Sequence, residues 1–166
     1  MIRILGNKLE CVWLVYKKKK PIAYSLHYTR EKAISRAEKI RKFHSLKAKI
    51  VENRELDKKL EKIIEKVLKG EKVLVDVSRY KYNQVYATLL KLQPGKTITY
   101  SELANITKLN IYQVIKALTY NPMLIIIPCH RVIRKDKTIG NYTPFGKDFK
   151  EKLLYYETKR VKTILS

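Results

Sequence analysis

The stretch MLIIIPCHRVI, residues 123–133, constrains this chain more than any other. It carries no charge until Arg131, and it sits in a protein whose formal net charge is +22. A run this apolar belongs in the interior, which predicts an extended, buried segment near the middle of the second half. Its residue order is unusual for a core. Pro128 fixes the backbone just before Cys129, one of only two cysteines, and His130 follows immediately. A structural cysteine gains nothing from such neighbours. A reactive one gains rigidity and a base.

The remaining residues supply enough hydrophobic content, 45%, for a real core in a chain of 166 residues. Lys and Arg number 37 against 15 acids, a surplus that points to a polyanionic partner, most simply nucleic acid. Both halves are basic. The KKKK run at 17–20 reads as a solvated turn, whereas Arg131, Arg134, Lys135 and Lys137 cluster beside the cysteine, where phosphate contacts are expected. No run of 18 apolar residues suggests a membrane span, and the N-terminus lacks the features of a secretory signal. Cys11 and Cys129 lie far apart, so a disulfide framework is not expected and a reducing, cytoplasmic setting fits.

Along the chain, LECVWLVY (9–16) and IAYSLHY (22–28) predict a hairpin across a lysine turn. Thr29 caps a helix, REKAISRAEKIRKF, and KAKIVE (47–52) predicts a short strand. LDKKLEKIIEKVLKG (56–70) has one apolar face and ends at Gly70, and KVLVDV (72–77) predicts another strand. Residues 1–78 therefore form a small α/β unit. From residue 79 the pattern becomes helical. A helix leads to a Pro-Gly turn; Ser101 caps a short helix, SELANIT; the break KLN leads to IYQVIKALTYN. Two short helices across a tight turn suggest a helix-turn-helix. KDFKEKLLYYE (147–157) closes the chain as a helix.

A thiol attacks as thiolate, so Cys129 needs a base or a positive environment. Side chains one residue apart in an extended segment face opposite ways, so His130 needs a turn or a bridging water to reach the sulfur. A carboxylate behind the imidazole would set its tautomer.

The residues NPMLIIIPCHRVI together with GNYT resemble the signature of the O6-alkylguanine-DNA alkyltransferases (methylated-DNA–protein-cysteine methyltransferases). The likeness extends to TITYSELANIT and LLYYE, so it spans about residues 80–157. It implies an α/β N-terminal domain (1–78) in a ribonuclease-H-like layout, acting as structural support. It implies a mainly α, winged-helix-like C-terminal domain (79–166) with the helix-turn-helix, carrying DNA binding and alkyl transfer. The implied reaction is single-turnover transfer of an alkyl group from O6 of guanine onto Cys129 after base flipping, with reaction at O4-alkylthymine left open. In that reading His130 is a base acting through a water and Glu157 steadies the imidazolium. Tyr100 donates to the leaving purine, and Asn121 is the hinge tying the helix-turn-helix to the cysteine segment. Leu118, Cys129, Val132, Tyr142 and Thr143 join Tyr100 in holding the base. The resemblance also implies a monomer acting on double-stranded DNA from the minor groove, with no cofactor.

Tyr112 stands where the family usually has an arginine that fills the gap left by the flipped base. Tyr112, Gln113, Lys116, Arg131, Arg134 and Lys135 are the expected DNA contacts. Ile115 and Lys116 are bulkier than the small residues usual there. Pro144-Phe145 replaces a common Gly-Gly, which predicts a narrowed pocket mouth and poor reaction with benzyl adducts. Some relatives bind zinc in the first domain; here Cys11, His27 and His44 are too few, and no metal is expected. Two rival readings are a non-catalytic lesion binder and a helix-turn-helix regulator with a sensing cysteine. The presence of Cys129 weighs against the first, and an operator sequence would be needed for the second.

Overall fold

A computed structural model describes the backbone of residues 1–165 and the side chains through Lys159. The chain opens with a strand that the sequence pattern does not announce. β1 (Ile2–Ile4) turns through Leu5 and Gly6, both at positive φ, into β2 (Asn7–Tyr16). β3 (Lys20–His27) returns antiparallel, pairing Tyr24 with Trp13. The lysines between β2 and β3 form an exposed single turn, as their charge requires. β4 (Lys49–Val51) pairs with β2 at Trp13–Val15, on the edge opposite β3.

Two helices cover this sheet. Thr29 accepts from the Lys32 amide and starts α1 (Arg30–Phe43), which buries Ala33, Arg36, Ala37 and Ile40. Asn53 caps α2 (Arg54–Leu68), whose Leu60, Ile64, Val67 and Leu68 are buried. The strand expected at 72–77 is absent. Val73, Val75 and Val77 do lean on the core in alternation, but Leu74 is fully exposed and no ladder forms. The sheet has little free edge to offer there. On β3 the Tyr24 amide donates to the Pro122 carbonyl (3.0 Å), and the Tyr80 hydroxyl donates to the Ile22 carbonyl.

In the second half, α3 (Asn83–Leu90) precedes a two-residue β5 (Ile98–Thr99), which pairs in parallel with β6 (Val132–Ile133). α4 (Tyr100–Thr107) and α5 (Ile111–Thr119) are joined by three residues, and α6 (Lys147–Leu165) ends the fold. The cap of α4 is Thr99, not Ser101. Thr99 and Glu102 bond reciprocally, and only that spacing satisfies two end amides at once. Asn110 and Gln113 do the same for α5.

The apolar run is buried as its composition predicts, but it is not extended. Ile125 takes a positive φ of 78°, and Cys129–Arg131 closes a single 3₁₀ turn. Ahead of β6 the segment satisfies part of its own backbone: Ile127 N donates to Met123 O (2.9 Å) and Cys129 N to Ile127 O (2.8 Å).

One hydrophobic cluster runs from Ile2 to Leu153 and so through both halves of the chain. Polar contacts cross the same boundary. The Tyr24 hydroxyl donates to Leu124 O (2.5 Å), and His44 Nε2 lies 2.8 Å from Tyr120 O while its Nδ1 accepts from the Lys81 amide. Cys11 is buried beside Asp57, whereas His44 spends its ring nitrogens on Tyr120 O and the Lys81 amide. Among the described residues no helix is long and apolar enough to cross a membrane.

Candidate active site

Cys129 begins its turn with its side chain nearly buried, and the sulfur receives a hydrogen bond from Asn121 Nδ2 at 3.2 Å. Three bonds fix that amide. Nδ2 also donates to Ile127 O (2.8 Å), and Oδ1 accepts from the Met123 amide (2.9 Å). Asn121 therefore belongs at once to the end of α5 and to the cysteine segment.

Behind the sulfur, His130 Nε2 lies 2.7 Å from Glu157 Oε1, both side chains fully buried. Arg131 grips the same carboxylate: Nη2 donates to Oε1 at 2.8 Å and Nε to Oε2 at 3.1 Å, while Nη1 donates to Leu92 O at 2.7 Å. Burial opposes ionisation of Glu157, but His130 and Arg131 together hold its carboxyl down at about 2. Burial pushes the His130 imidazole below its ordinary range despite Glu157. The resting pair is thus a carboxylate and a neutral imidazole. A carboxylate only accepts, so the imidazole proton sits on Nε2 and Nδ1 keeps its lone pair. Nδ1 is buried and has no protein partner.

Burial also raises the Cys129 thiol, with the Asn121 amide, Arg36 and Lys150 pulling the other way. The resting sulfur is a protonated thiol that needs a base, and a free imidazole lone pair is one residue away.

The sulfur opens onto a cleft of about 590 Å³ lined by Tyr100, Leu118, Tyr142 and Thr143, with exposed Arg134 and Lys135 at its rim. Two other cavities of 520 and 580 Å³ contain no cysteine, so chemistry rather than size singles this one out. Tyr142 is buried edge-on to His130, with its hydroxyl directed at the Cys129 sulfur. Tyr100 sits half-buried at the first position of α4, and burial raises its phenol.

Several expectations are corrected. Arg131 is not a phosphate contact: it is 3% exposed and spends its guanidinium on Glu157 and Leu92. Phe145 does not narrow the cleft. It turns inward to stack on Phe149 (4.6 Å) and meets Tyr28 edge-on, which leaves the expected constraint on benzyl adducts to Pro144. On α5, Tyr112 is 67% exposed beside exposed Ile111 and Ile115, with Lys116 Nζ 5.3 Å from its ring. Gln113 is half-buried, its side-chain oxygen engaged in the cap of α5.

Two buried cations escape a motif-based reading. Lys150 on α6 is 1% exposed, donates to Asn141 O (3.2 Å) and lies 5.8 Å from the Tyr100 ring. It falls seven residues before Glu157, on the same helix face, which is the signal that could have found it. Arg36 lies in the Ala33-Ala37-Ile40 stripe of α1, a charge where the period demands an apolar residue.

The fold and site define a class: a two-part α/β and helical chain whose second part holds a cleft-facing cysteine backed by a buried histidine–carboxylate pair. The family model described as "6-O-methylguanine DNA methyltransferase, DNA binding domain" matches residues 81–159. Residues 81–159 are thus similar to that family's DNA-binding domain. A methylated-DNA–protein-cysteine methyltransferase of Thermococcus sibiricus is 46% identical over 81 residues, 48% of this chain and 44% of that protein. The Rattus norvegicus protein of the same name is 43% identical over 77 residues, 45% of this chain and 37% of its own length. The match spans less than half the length of these curated relatives. The crystal structure of an O6-methylguanine-DNA methyltransferase from Pyrococcus kodakaraensis KOD1 superposes with a TM-score of 0.62, covering 90% of this chain and 97% of that one at 23% identity. Both halves therefore share that fold.

Proposed function

We propose that this protein repairs DNA by single-turnover transfer of the alkyl group from O6-alkylguanine to Cys129. One observation carries the reading: a buried thiol faces a base-sized cleft, held by Asn121 and backed by His130 and Glu157.

The steps balance as follows. His130 Nδ1 takes the thiol proton through a water, and the imidazolium is stabilised by the Glu157 carboxylate at 2.7 Å. Sγ attacks the alkyl carbon; the S–C bond forms while the C–O6 bond breaks, and the electron pair passes to the purine. Tyr100 protonates a ring nitrogen of the departing guanine and regains its proton from solvent. The product is a thioether, which no group in the cleft can reverse, so the protein acts once.

A stacked base cannot reach this sulfur, so the nucleotide must flip into the cleft, at a cost of a few kcal/mol. The exposed Ile111, Tyr112 and Ile115 face of α5 suits the minor groove, with Tyr112 stacking in the vacated gap. Arg134 and Lys135 at the cleft rim suit phosphates. In this reading α4 and α5 are the helix-turn-helix of a winged-helix-like domain, residues 79–166. Residues 1–78 are its ribonuclease-H-like support, and the protein is a cytoplasmic monomer needing no cofactor. Backbone groups of Thr143, Cys129 and Val132 select guanine.

The test is to incubate the protein with a duplex containing O6-methylguanine and weigh its peptides. A gain of one methyl on the Cys129 peptide, absent in Cys129→Ala, is expected. Retained lesion binding with unchanged mass would sink the proposal in favour of a binder, and tight binding to one undamaged sequence would favour a regulator.

A further inference from the structure

Among the described residues one interior guanidinium has no partner of opposite sign. Arg36 projects from α1 into the junction between the two halves and is 6% exposed. Its Nη2 donates to the carbonyls of Asn121 (3.3 Å) and Thr119 (3.4 Å). Nε and Nη1 are buried with no hydrogen-bond partner, and no carboxylate among the described residues pairs with the guanidinium. Arginine does not escape this cost by losing its proton. A charge kept in the interior at such expense asks what it is for.

The titratable groups facing Arg36 are Cys129 in the 3₁₀ turn, Tyr24 on β3, Tyr86 on α3 and Tyr142 in the loop before α6. Lys150 on α6 and Tyr100 on α4 also face the sulfur, and His27 on β3 feels Arg36. Burial pushes Tyr24, Tyr86 and Tyr142 well above the usual phenol range, so they stay neutral. Only the sulfur can become the missing anion. The geometry agrees: Arg36 holds the main-chain carbonyl of Asn121, the residue whose amide holds Sγ at 3.2 Å.

We propose that Arg36, supplied by the first half of the chain, is a positioning residue for alkyl transfer: it fixes Asn121 behind the sulfur and is the resident counter-charge of the Cys129 thiolate. This rests on the alkyl-transfer reading. The thiol proton goes to His130, and the negative sulfur exists only until the S–C bond forms. Arg36 therefore favours the reacting form over the resting one, which is what accelerates a step. It also gives the first half a part in the chemistry beyond support.

The experiment uses the full chain with Arg36→Met, Arg36→Gln and Arg36→Lys. Iodoacetamide labelling of the Cys129 peptide against pH reads the sulfur without DNA. The midpoint should move up by about one pH unit in Arg36→Met and Arg36→Gln. Methyl transfer from a duplex at neutral pH should fall about tenfold with it. Arg36→Lys should restore most of both. The melting temperature of Arg36→Met should hold or rise, because an unpaired buried charge has gone. Should Arg36→Met not fold, Arg36→Gln, which keeps a donor for Asn121, decides. A folded uncharged variant with an unmoved midpoint overturns the proposal, whether or not its melting temperature drops. Wild-type methyl transfer without a midpoint shift defeats the Arg36 proposal alone. A midpoint shift in a protein that ignores O6-methylguanine upholds the counter-charge and defeats the alkyl-transfer reading.

Discussion

Glu157 Oε1 lies 2.7 Å from His130 Nε2 and 2.8 Å from Arg131 Nη2, so one buried carboxylate serves a standing cation and an imidazole that can become one. Arg131 keeps it ionised. Being ionised, it dictates which imidazole nitrogen carries the proton. That leaves the other nitrogen, without a protein partner among the described residues, free to take a proton in the proposed reaction. A tautomer is thus set by a carboxylate 27 residues away in sequence, which also accepts from the guanidinium next to the histidine.

Glu157→Gln should separate these roles. The amide can face His130 with the wrong group, and the imidazolium loses its counter-charge, so methyl transfer should fall by about 10²–10⁴-fold. Arg131 is left buried and unpaired, at a cost of about 3–5 kcal/mol. Single-turnover kinetics and urea unfolding check the two effects. Loss of stability with full activity would show that the carboxylate is only structural.

Acid should unfold the protein in two stages. The folded His130 pKa is depressed, so the unfolded chain binds more protons below about 6.5 and stability falls as pH drops from there. Glu157 is held at about 2 against an ordinary 4.5, so its contribution is complete above about 4.5 and is lost as pH falls towards 2. The second stage is worth about 3 kcal/mol. Urea midpoints across pH 2–8 should show both stages, and Glu157→Gln should lack the lower one.

Lys150→Met should trade stability against reaction rate. Burial holds the Lys150 ammonium down at about 8 from an ordinary 10.5, although the sulfur pulls it up. The unfolded chain binds more protons between these values, so wild-type stability should rise with pH across that window. The variant should lose this slope. At neutral pH it should be more stable by about 1 kcal/mol, since a costly interior charge is removed. Methyl transfer should slow, because a cation beside Cys129 and Tyr100 is lost. A slower, less stable variant would point to a packing role instead.

Duplex affinity should fall steeply and almost linearly in a log–log plot against salt, and Lys135→Ala should reduce the slope by about 0.9. Tyr112→Ala should leave the melting temperature within about 0.5 kcal/mol of stability, since the ring is exposed. It should nonetheless weaken binding to duplex by about 1–3 kcal/mol if the ring stacks in the gap. Fluorescence titration reads both. Unchanged affinity in Tyr112→Ala would remove the phenol from the interface.

Much of the architecture is legible locally. The β2–β3 hairpin, α1 with its Thr29 cap, the amphipathic α2 and the α4–α5 pair each follow from a period or a cap within a dozen residues. The segment at 72–77 shows the limit of such reading. Its alternation is right for a strand and its valines do pack on the core, but a strand also needs a free edge, and β3 had already given its backbone to Pro122 and Tyr80. Capping shows a finer limit, because Ser101 and Thr99 are both good caps and only the Glu102 reciprocity decides between them.

By itself the sequence determined the reactive cysteine, the neighbouring histidine and the buried run that carries them, because each is a matter of residue type and short spacing. The tertiary structure decided which charges became partners. It folded the run into a turn instead of a strand, and it moved Arg131 from the DNA to Glu157. It also brought Arg36 across from α1 and Lys150 across from α6 to the sulfur. Charge is long-ranged and its energy depends on burial and on what lies opposite. Neither quantity exists until distant segments have packed together.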